Sequence, residues 1–130
     1  MDPKFIDLAE VLEIHEDQIK RYGGSPGIRD LGALESALAM PQSGIGGQYF
    51  HADLYEMAAA YLYHLVMGHP FIDGNKRVGT VTALVFLRLN GVHLDVTNPT
   101  LADTVLTVTE GRLSKPGLAE WFRKKADSSD

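Results

Sequence analysis

One short segment of the chain brings together side chains that can act on a phosphate ester. Residues 69–77 have the sequence HPFIDGNKR. The imidazole of His69 can accept a proton, and Asp73 is a hard oxygen ligand suited to Mg²⁺. Lys76 and Arg77 add positive charge, and Arg can hold a phosphate through two parallel hydrogen bonds. A base, a metal ligand and two cations are the components of a phosphoryl or nucleotidyl transfer site.

The residue types within this segment predict a loop that leads into a helix. Pro70 disfavours helical geometry at His69, so a preceding helix is expected to end there. The sequence Asp-Gly-Asn at 73–75 is typical of a turn, and the next helix is predicted to begin at residue 75 or 76. The backbone N–H groups of a first helical turn attract anions. We therefore expect an anion site where this loop meets the helix.

The segment 69–77 lies between the two most apolar stretches of the chain, 53–67 and 78–89. Neither stretch keeps a continuous polar face, which is typical of helices at the centre of a domain. Apolar residues at helical spacing predict four further helices around them. These are a helix over 8–22 ended by Gly23-Gly24, a helix capped by Asp30 and ended at Pro41, a helix opened by a Thr100–Asp103 capping box and ended at Gly111, and a helix begun by Ser114 and Pro116. Residues 41–51 are predicted to form a loop or short hairpin.

Length and composition indicate one globular domain over 1–130. The predicted helices make this domain all-α in class, and the polar tail from about 124 to 130 is predicted to be disordered. The 130 residues include no cysteine, which excludes disulfides and cysteine-based zinc sites. The net charge of -5 has the wrong sign for a general nucleic-acid binder. No apolar stretch is long enough to span a bilayer and no signal peptide is recognised, so a cytoplasmic location is predicted.

The segment 69–77 resembles the signature of the Fic/Doc family, H-x-F-x-D/E-G/A-N-G/K-R. The resemblance extends to 15–24, to 86–91 and to a length near 130 residues, as in the Doc (death on curing) toxins. It implies a Fic/Doc-type helical bundle in which two central helices flank the 69–77 loop. It also implies that residues 44–50 form a flap beside the active site, which docks the target peptide partly by strand-like pairing.

Two positions distinguish the branches of this family. Members that transfer AMP typically read G-N-G-R-x-x-R, whereas this chain has Lys76 and Thr80 at the second glycine and the last arginine. Gly74, where Doc has alanine, is the one residue of the motif that matches the AMP-transferring branch instead. The resemblance therefore implies a protein kinase that transfers the γ-phosphate of ATP to a Thr or Ser hydroxyl of a translation protein, elongation factor Tu, and arrests translation. A Fic-type adenylyltransferase and a catalytically silent antitoxin-binding module remain alternatives.

The resemblance also implies a role for each motif residue. His69 would be the general base, and Asp73 would hold Mg²⁺ and help to orient the attacking group. Phe71 would plug into the core and fix the loop. The remaining four residues would bind the ATP phosphates, two as an anion nest and two as cations: Gly74, Asn75, Lys76 and Arg77.

A separate partner is expected to restrain the activity. The family's inhibitory pattern S/T-x-x-x-E-G/N fails here, because Leu106 precedes Glu110-Gly111 at the required position. In Doc systems the partner is a Phd-type antitoxin with a segment that folds on the toxin surface.

The polar residues also allow other interpretations. The segment 69–77 could be a helix–loop–helix corner with solvated charges, but such a corner requires neither His69 nor Asp73. His64 and His69 would lie about 140° apart on a helix, so they are not a metal-binding pair. His64 is predicted to be a packing histidine. His15 is predicted to be a buried residue with a hydrogen-bond partner.

Overall fold

The computed structural model describes residues 2–127, and these form six α-helices and one short hairpin. The helices are α1 (Leu8–Tyr22), α2 (Leu31–Ala39), α3 (Leu54–Met67), α4 (Asn75–Leu89), α5 (Asn98–Thr109) and α6 (Lys115–Lys125). A 3-10 turn over Met40–Gln42 follows α2, and strands β1 (Gly44–Ile45) and β2 (Gln48–Tyr49) pair antiparallel. The fold is all-α, as predicted. Within this part of the chain, no helix combines the length and the apolar character that a membrane crossing needs.

The two apolar stretches form the central helices, as predicted. α3 packs against α4 and α6, and it also contacts α2, while α1 covers α4. The two central helices approach closely at Gly79, where an added Cβ would lie 2.8 Å from Cγ2 of Val66 and 3.3 Å from the carbonyl oxygen of Leu62. The loop 68–74 that joins α3 to α4 therefore starts and ends on two closely packed helices.

The start of α5 differs from the prediction. Its N-cap is Thr97 and not Thr100, since the Thr97 hydroxyl accepts a hydrogen bond from the backbone N–H of Thr100 at 3.3 Å. Pro99 then lies in the first helical turn, where its missing N–H has no cost. The predicted Thr100–Asp103 capping box was wrong because Thr97 supplies the same hydroxyl acceptor three residues earlier.

The predicted disorder of the tail was wrong for residues 124–127. Helix α6 continues to Lys125, and the chain then pairs with the extended segment before α5. The backbone N–H of Asp95 donates to the carbonyl of Lys125 at 2.7 Å, and that of Asp127 donates to the carbonyl of His93 at 2.7 Å. The partner strand is about 30 residues away in the chain, so the polar composition of the tail did not reveal the pairing. Residues 128–130 lie outside the described residues.

His64 links α3 to α6 and has the packing role that the sequence predicted. The imidazole is half-buried, and its Nε2 lies 3.2 Å from the ammonium nitrogen of Lys115. Burial first, and then the nearby charge of Lys115, lower the pKa of His64 from its ordinary 6.5 to about 4. The same two causes, in the same order, lower the pKa of His51. The neutral imidazole is thus the form that the fold stabilises.

We expect Gly79→Ala to destabilise the protein by roughly 1–3 kcal/mol, because its methyl group would overpack the contact between α3 and α4. The matched control is Gly32→Ala on the exposed second position of α2, where the added Cβ meets nothing closer than 3.4 Å. That control should be stabilising by up to about 0.5–1 kcal/mol. Urea denaturation of both variants measures the difference. Equal free energies of unfolding for the two variants would contradict the close approach at Gly79.

We expect the free energy of unfolding to fall as the pH drops from about 6.5 to about 4. The unfolded chain takes up a proton on His64 in this window, whereas the folded chain holds it neutral, so acid favours the unfolded state. His64→Gln keeps a hydrogen-bond acceptor for Lys115 and removes the titration, and it should flatten part of the slope. Urea denaturation at several pH values in the window tests this. An identical slope in the variant and the wild type would refute the assignment.

Candidate active site

The structure brings the predicted site residues together around one cavity of about 400 Å³ at the start of α4. A second groove of about 620 Å³ lies between α1, α4 and α5. Lys76 and Arg77 line both spaces. The predicted residues that line the first cavity are His69, Asp73, Gly74, Asn75, Lys76 and Arg77.

His69 has an unusual backbone conformation. Helix α3 ends at Met67, and His69 follows with φ of 47°. It is the only residue other than glycine with positive φ among residues 2–127. Residues with a Cβ reach this region at a cost of about 1–3 kcal/mol, and they cluster at functional sites. The side chain is exposed at the cavity, where a reacting hydroxyl could approach it.

Asn75 closes the loop by pairing with the backbone of Phe71. Its Oδ1 accepts from the N–H of Phe71 at 2.9 Å, and its Nδ2 donates to the carbonyl of Phe71 at 3.0 Å. Phe71 itself is buried in the core, as predicted. The amide of Asn75 thus holds the loop, and the residue can also offer a ligand its backbone N–H at the start of α4.

His15 on α1 supports the same loop through a ring contact and a hydrogen bond. Its ring stacks on Phe71 with the ring centroids 3.9 Å apart and 8° between the planes. Its Nε2 lies 3.0 Å from the carbonyl oxygen of Asp73 and must carry the proton, because a carbonyl can only accept. His15 is therefore the buried histidine with a partner that the sequence predicted, and that partner is the site loop.

The carboxylate of Asp73 is held by two backbone N–H groups. Oδ1 accepts from Gly74 at 2.9 Å, and Oδ2 accepts from Ser25 at 3.2 Å. Each carboxylate oxygen retains a lone pair that can bind a cation, and the residue is exposed. Gly24 makes room for this arrangement, since a Cβ there would lie 2.7 Å from Oδ2 of Asp73.

The start of α4 is suited to an anion. Gly74 has φ of 81° and supplies no side-chain cap, whereas a side chain caps each of the other five α-helices in the described chain. The positive end of the helix dipole therefore faces the cavity together with the exposed ammonium of Lys76.

Arg77 adds positive charge and also holds α1. Nη1 donates to the carbonyl of Gln18 at 3.2 Å, and Nη2 donates to the carbonyl of Gly23 at 3.0 Å. The guanidinium lies 5.8 Å from the ring centroid of Tyr22. Each terminal nitrogen has a second N–H, so the group can still bind an anion in the cavity.

The segment 27–30 contacts the site loop and was missed by the sequence reasoning. The backbone N–H groups of Arg29 and Asp30 donate to the carbonyl of Pro70 at 2.8 and 3.0 Å, and the N–H of Ile72 donates to Gly27 at 3.1 Å. The Arg29 side chain donates to His69, which is 40 residues away in the chain. No local pattern around Arg29 indicates a contact over such a distance.

Comparison with known proteins agrees with the resemblance of the motif. The family model described as "Fic/DOC family" matches residues 5–87. "Protein kinase doc" of Escherichia phage P1 is 35% identical over 127 residues, which cover 98% of this chain and 99% of the relative. "Toxin Doc" of Mycolicibacterium smegmatis is 41% identical over 73 residues, which cover 56% of each protein.

We expect Asn75→Ala to lower the free energy of unfolding by roughly 1–3 kcal/mol, because the backbone N–H and carbonyl of Phe71 lose their partners. Amide hydrogen exchange at Phe71 should accelerate in the same variant. The control is Asn98→Ala, which removes an exposed amide at the start of α5. Thermal unfolding and hydrogen exchange measured by NMR test both variants. Unchanged exchange at Phe71 in Asn75→Ala would contradict the bracing role of Asn75.

Proposed function

The chain belongs to the Fic/DOC family, and on this premise we propose that it is a toxin-type protein kinase that transfers the γ-phosphate of ATP to a Ser or Thr hydroxyl of a protein. The observation that carries the proposal is the arrangement of His69, Asp73, Lys76 and Arg77 around one cavity. A base, a carboxylate, a helix N-terminus and two cations are the groups that such a transfer requires. The relative that matches over almost its full length is named a protein kinase.

In the proposed reaction His69 acts as the general base. The target hydroxyl lies against the exposed imidazole, and His69 takes its proton as the oxygen attacks the γ-phosphorus. The new O–P bond forms as the bond between the γ-phosphorus and the bridging oxygen breaks, and ADP leaves. Because His69 and Lys76 both line this cavity, it can hold the hydroxyl and the phosphates together.

Asp73 is suited to hold Mg²⁺ in this reaction. Mg²⁺ is commonly bound by one or two carboxylates together with substrate phosphates and water, and Asp73 offers one exposed, fixed carboxylate. When bound, the ion would neutralise charge on the phosphates. The hydrogen bonds from Ser25 and Gly74 orient the carboxylate and limit its motion.

The phosphates would be held at the start of α4. The backbone N–H of Asn75, the ammonium of Lys76 and the guanidinium of Arg77 supply the donors, whereas the N–H of Gly74, which the resemblance also assigns to the phosphates, is already donated to Asp73. Because Asn75 and Arg77 are also fixed to Phe71 and α1, these donors are in place before the nucleotide binds. Such preorganisation lowers the cost of ordering the site.

Lys76 and Thr80 favour transfer of the γ-phosphate over transfer of AMP. Lys76 fills space that a glycine would leave open, and the Thr80 hydroxyl donates to the carbonyl of Lys76 at 2.7 Å where an AMP-transferring relative would carry an arginine. Gly74 favours the second candidate, transfer of AMP by the same site. In that reaction the target oxygen would attack the α-phosphorus and pyrophosphate would leave.

We extend the proposal to the target and the partner. The target is a translation protein, elongation factor Tu, so that phosphorylation arrests translation in the cytoplasm, and a Phd-type antitoxin restrains the enzyme. The toxin name of the second relative supports this setting. The hairpin 44–49 is proposed to dock the target as a flap, and its exposed Ile45 and the neighbouring Phe50 are suited to contact a peptide.

We expect purified elongation factor Tu to acquire label from [γ-³²P]ATP and not from [α-³²P]ATP. His69→Ala should lower the rate by about 10²- to 10⁴-fold, because the general base is lost. Asp73→Asn should lower the rate as well, because the carboxylate charge is lost. The control variant is His93→Ala, which changes an exposed histidine outside the cavity.

The isotope pattern separates the candidate functions. Label from the α-position would establish transfer of AMP and refute the kinase. If neither isotope labels elongation factor Tu, the same assay in a whole lysate distinguishes another protein target from a silent antitoxin-binding module. Full activity in His69→Ala would refute the assignment of the base under either reaction.

A further inference from the structure

We infer that Arg29 is a positioning residue for the transfer, because its guanidinium clamps two consecutive backbone carbonyls and so holds His69 in its left-handed conformation. The inference rests on the proposed role of His69 as the base. Arg29 is not among the residues that line the cavity of about 400 Å³, so its effect on the reaction would pass through His69.

The strained backbone of His69 needs an external support. A left-handed residue with a Cβ persists where the surrounding structure over-determines its conformation. Gly68, whose φ is −77°, still has helical geometry, so the chain changes direction at His69 itself. The direction of the imidazole depends on this change, because the Cα–Cβ bond rotates with the backbone. A support for the carbonyls on either side of the His69 Cα therefore decides where the base points.

Arg29 supplies this support. Its Nε donates to the carbonyl of His69 at 2.6 Å, and its Nη2 donates to the carbonyl of Gly68 at 3.0 Å. The planar guanidinium presents these two donors in a fixed relation, which the ammonium of a lysine cannot reproduce. Both hydrogen bonds carry the positive charge of the donor, and they are stronger than neutral ones for that reason.

The backbone around Arg29 is itself fixed to the site loop. The backbone N–H groups of Arg29 and Asp30 donate to the carbonyl of Pro70, and Ile28 forms a β-bridge with the buried Phe71. Three consecutive carbonyls, at 68, 69 and 70, thus accept hydrogen bonds from residues 29–30. The guanidinium also places positive charge beside the negative end of the α3 dipole, which favours its position.

The test compares Arg29→Ala and Arg29→Lys with the wild type in the γ-phosphate transfer assay and by NMR. Arg29→Ala should lower kcat by about 10- to 100-fold, because the base is displaced, and leave KM for ATP within about twofold. Arg29→Lys should be intermediate, and added methylguanidinium should restore part of kcat in Arg29→Ala. The ¹³Cα and ¹³Cβ shifts of His69, which report on its backbone conformation, should move in Arg29→Ala. The control is Arg88→Ala, an exposed arginine in the last turn of α4.

The outcomes separate this inference from the proposed function. An unchanged kcat, unchanged His69 shifts, or a rise in KM for ATP at constant kcat would overturn the positioning role. If the wild type transfers no phosphate, the proposed function fails, and the His69 shifts alone decide whether Arg29 positions this residue. If Arg29→Ala does not fold, kcat and the His69 shifts of Arg29→Lys decide. Loss of kcat without rescue by methylguanidinium in a folded Arg29→Ala would also count against the clamp.

Discussion

Residues 68–74 join the two central helices, α3 and α4, and much of the polar backbone of this loop is paired within the protein. An unpaired buried N–H or carbonyl costs about as much as a lost hydrogen bond, so the backbone groups of the buried Pro70 and Phe71 need partners. Asn75 pairs both groups of Phe71, and His15 pairs the carbonyl of Asp73. Residues 27–30 pair three carbonyls and one N–H. The candidate site is the surface that this pairing leaves exposed.

Several residues of the segment 69–77 both hold the loop in place and offer groups to a ligand. Asn75 braces the loop through its side chain and offers a ligand its backbone. Arg77 holds the carbonyls at the end of α1 and still faces the cavity, while Asp73 accepts two N–H groups and keeps lone pairs for a cation. A substitution at any of the three therefore changes both the loop and the groups available to a ligand. Activity measurements on these residues need a stability measurement beside them.

The electrostatics of the site are local and oppose the charge of the whole chain. The net charge is -5, yet Lys76, Arg77 and the uncapped start of α4 meet at one cavity. Asp73 is the acidic residue that lines this cavity, whereas Glu16 and Asp17 form i,i+4 pairs on the exposed face of α1. A negatively charged nucleotide would thus be attracted at short range to the start of α4, since charges beyond about 8–10 Å are largely screened by salt.

The amino-acid sequence by itself determined the all-α class, the two central helices and the segment 69–77 that lines the candidate site, and these features follow from apolar periodicity and from residue types within a few positions of each other. The burial of Phe71 was implied by the family resemblance of this segment. Only the tertiary structure decided which residues support the site. Arg29 forms a hydrogen bond with His69, His15 with Asp73, and Arg77 with the end of α1. The tertiary structure also decided that the end of α6 pairs with the segment before α5. The physical reason is that each of these contacts joins residues about 30 to 60 positions apart, and a hydrogen bond across such a separation is set by how the helices pack.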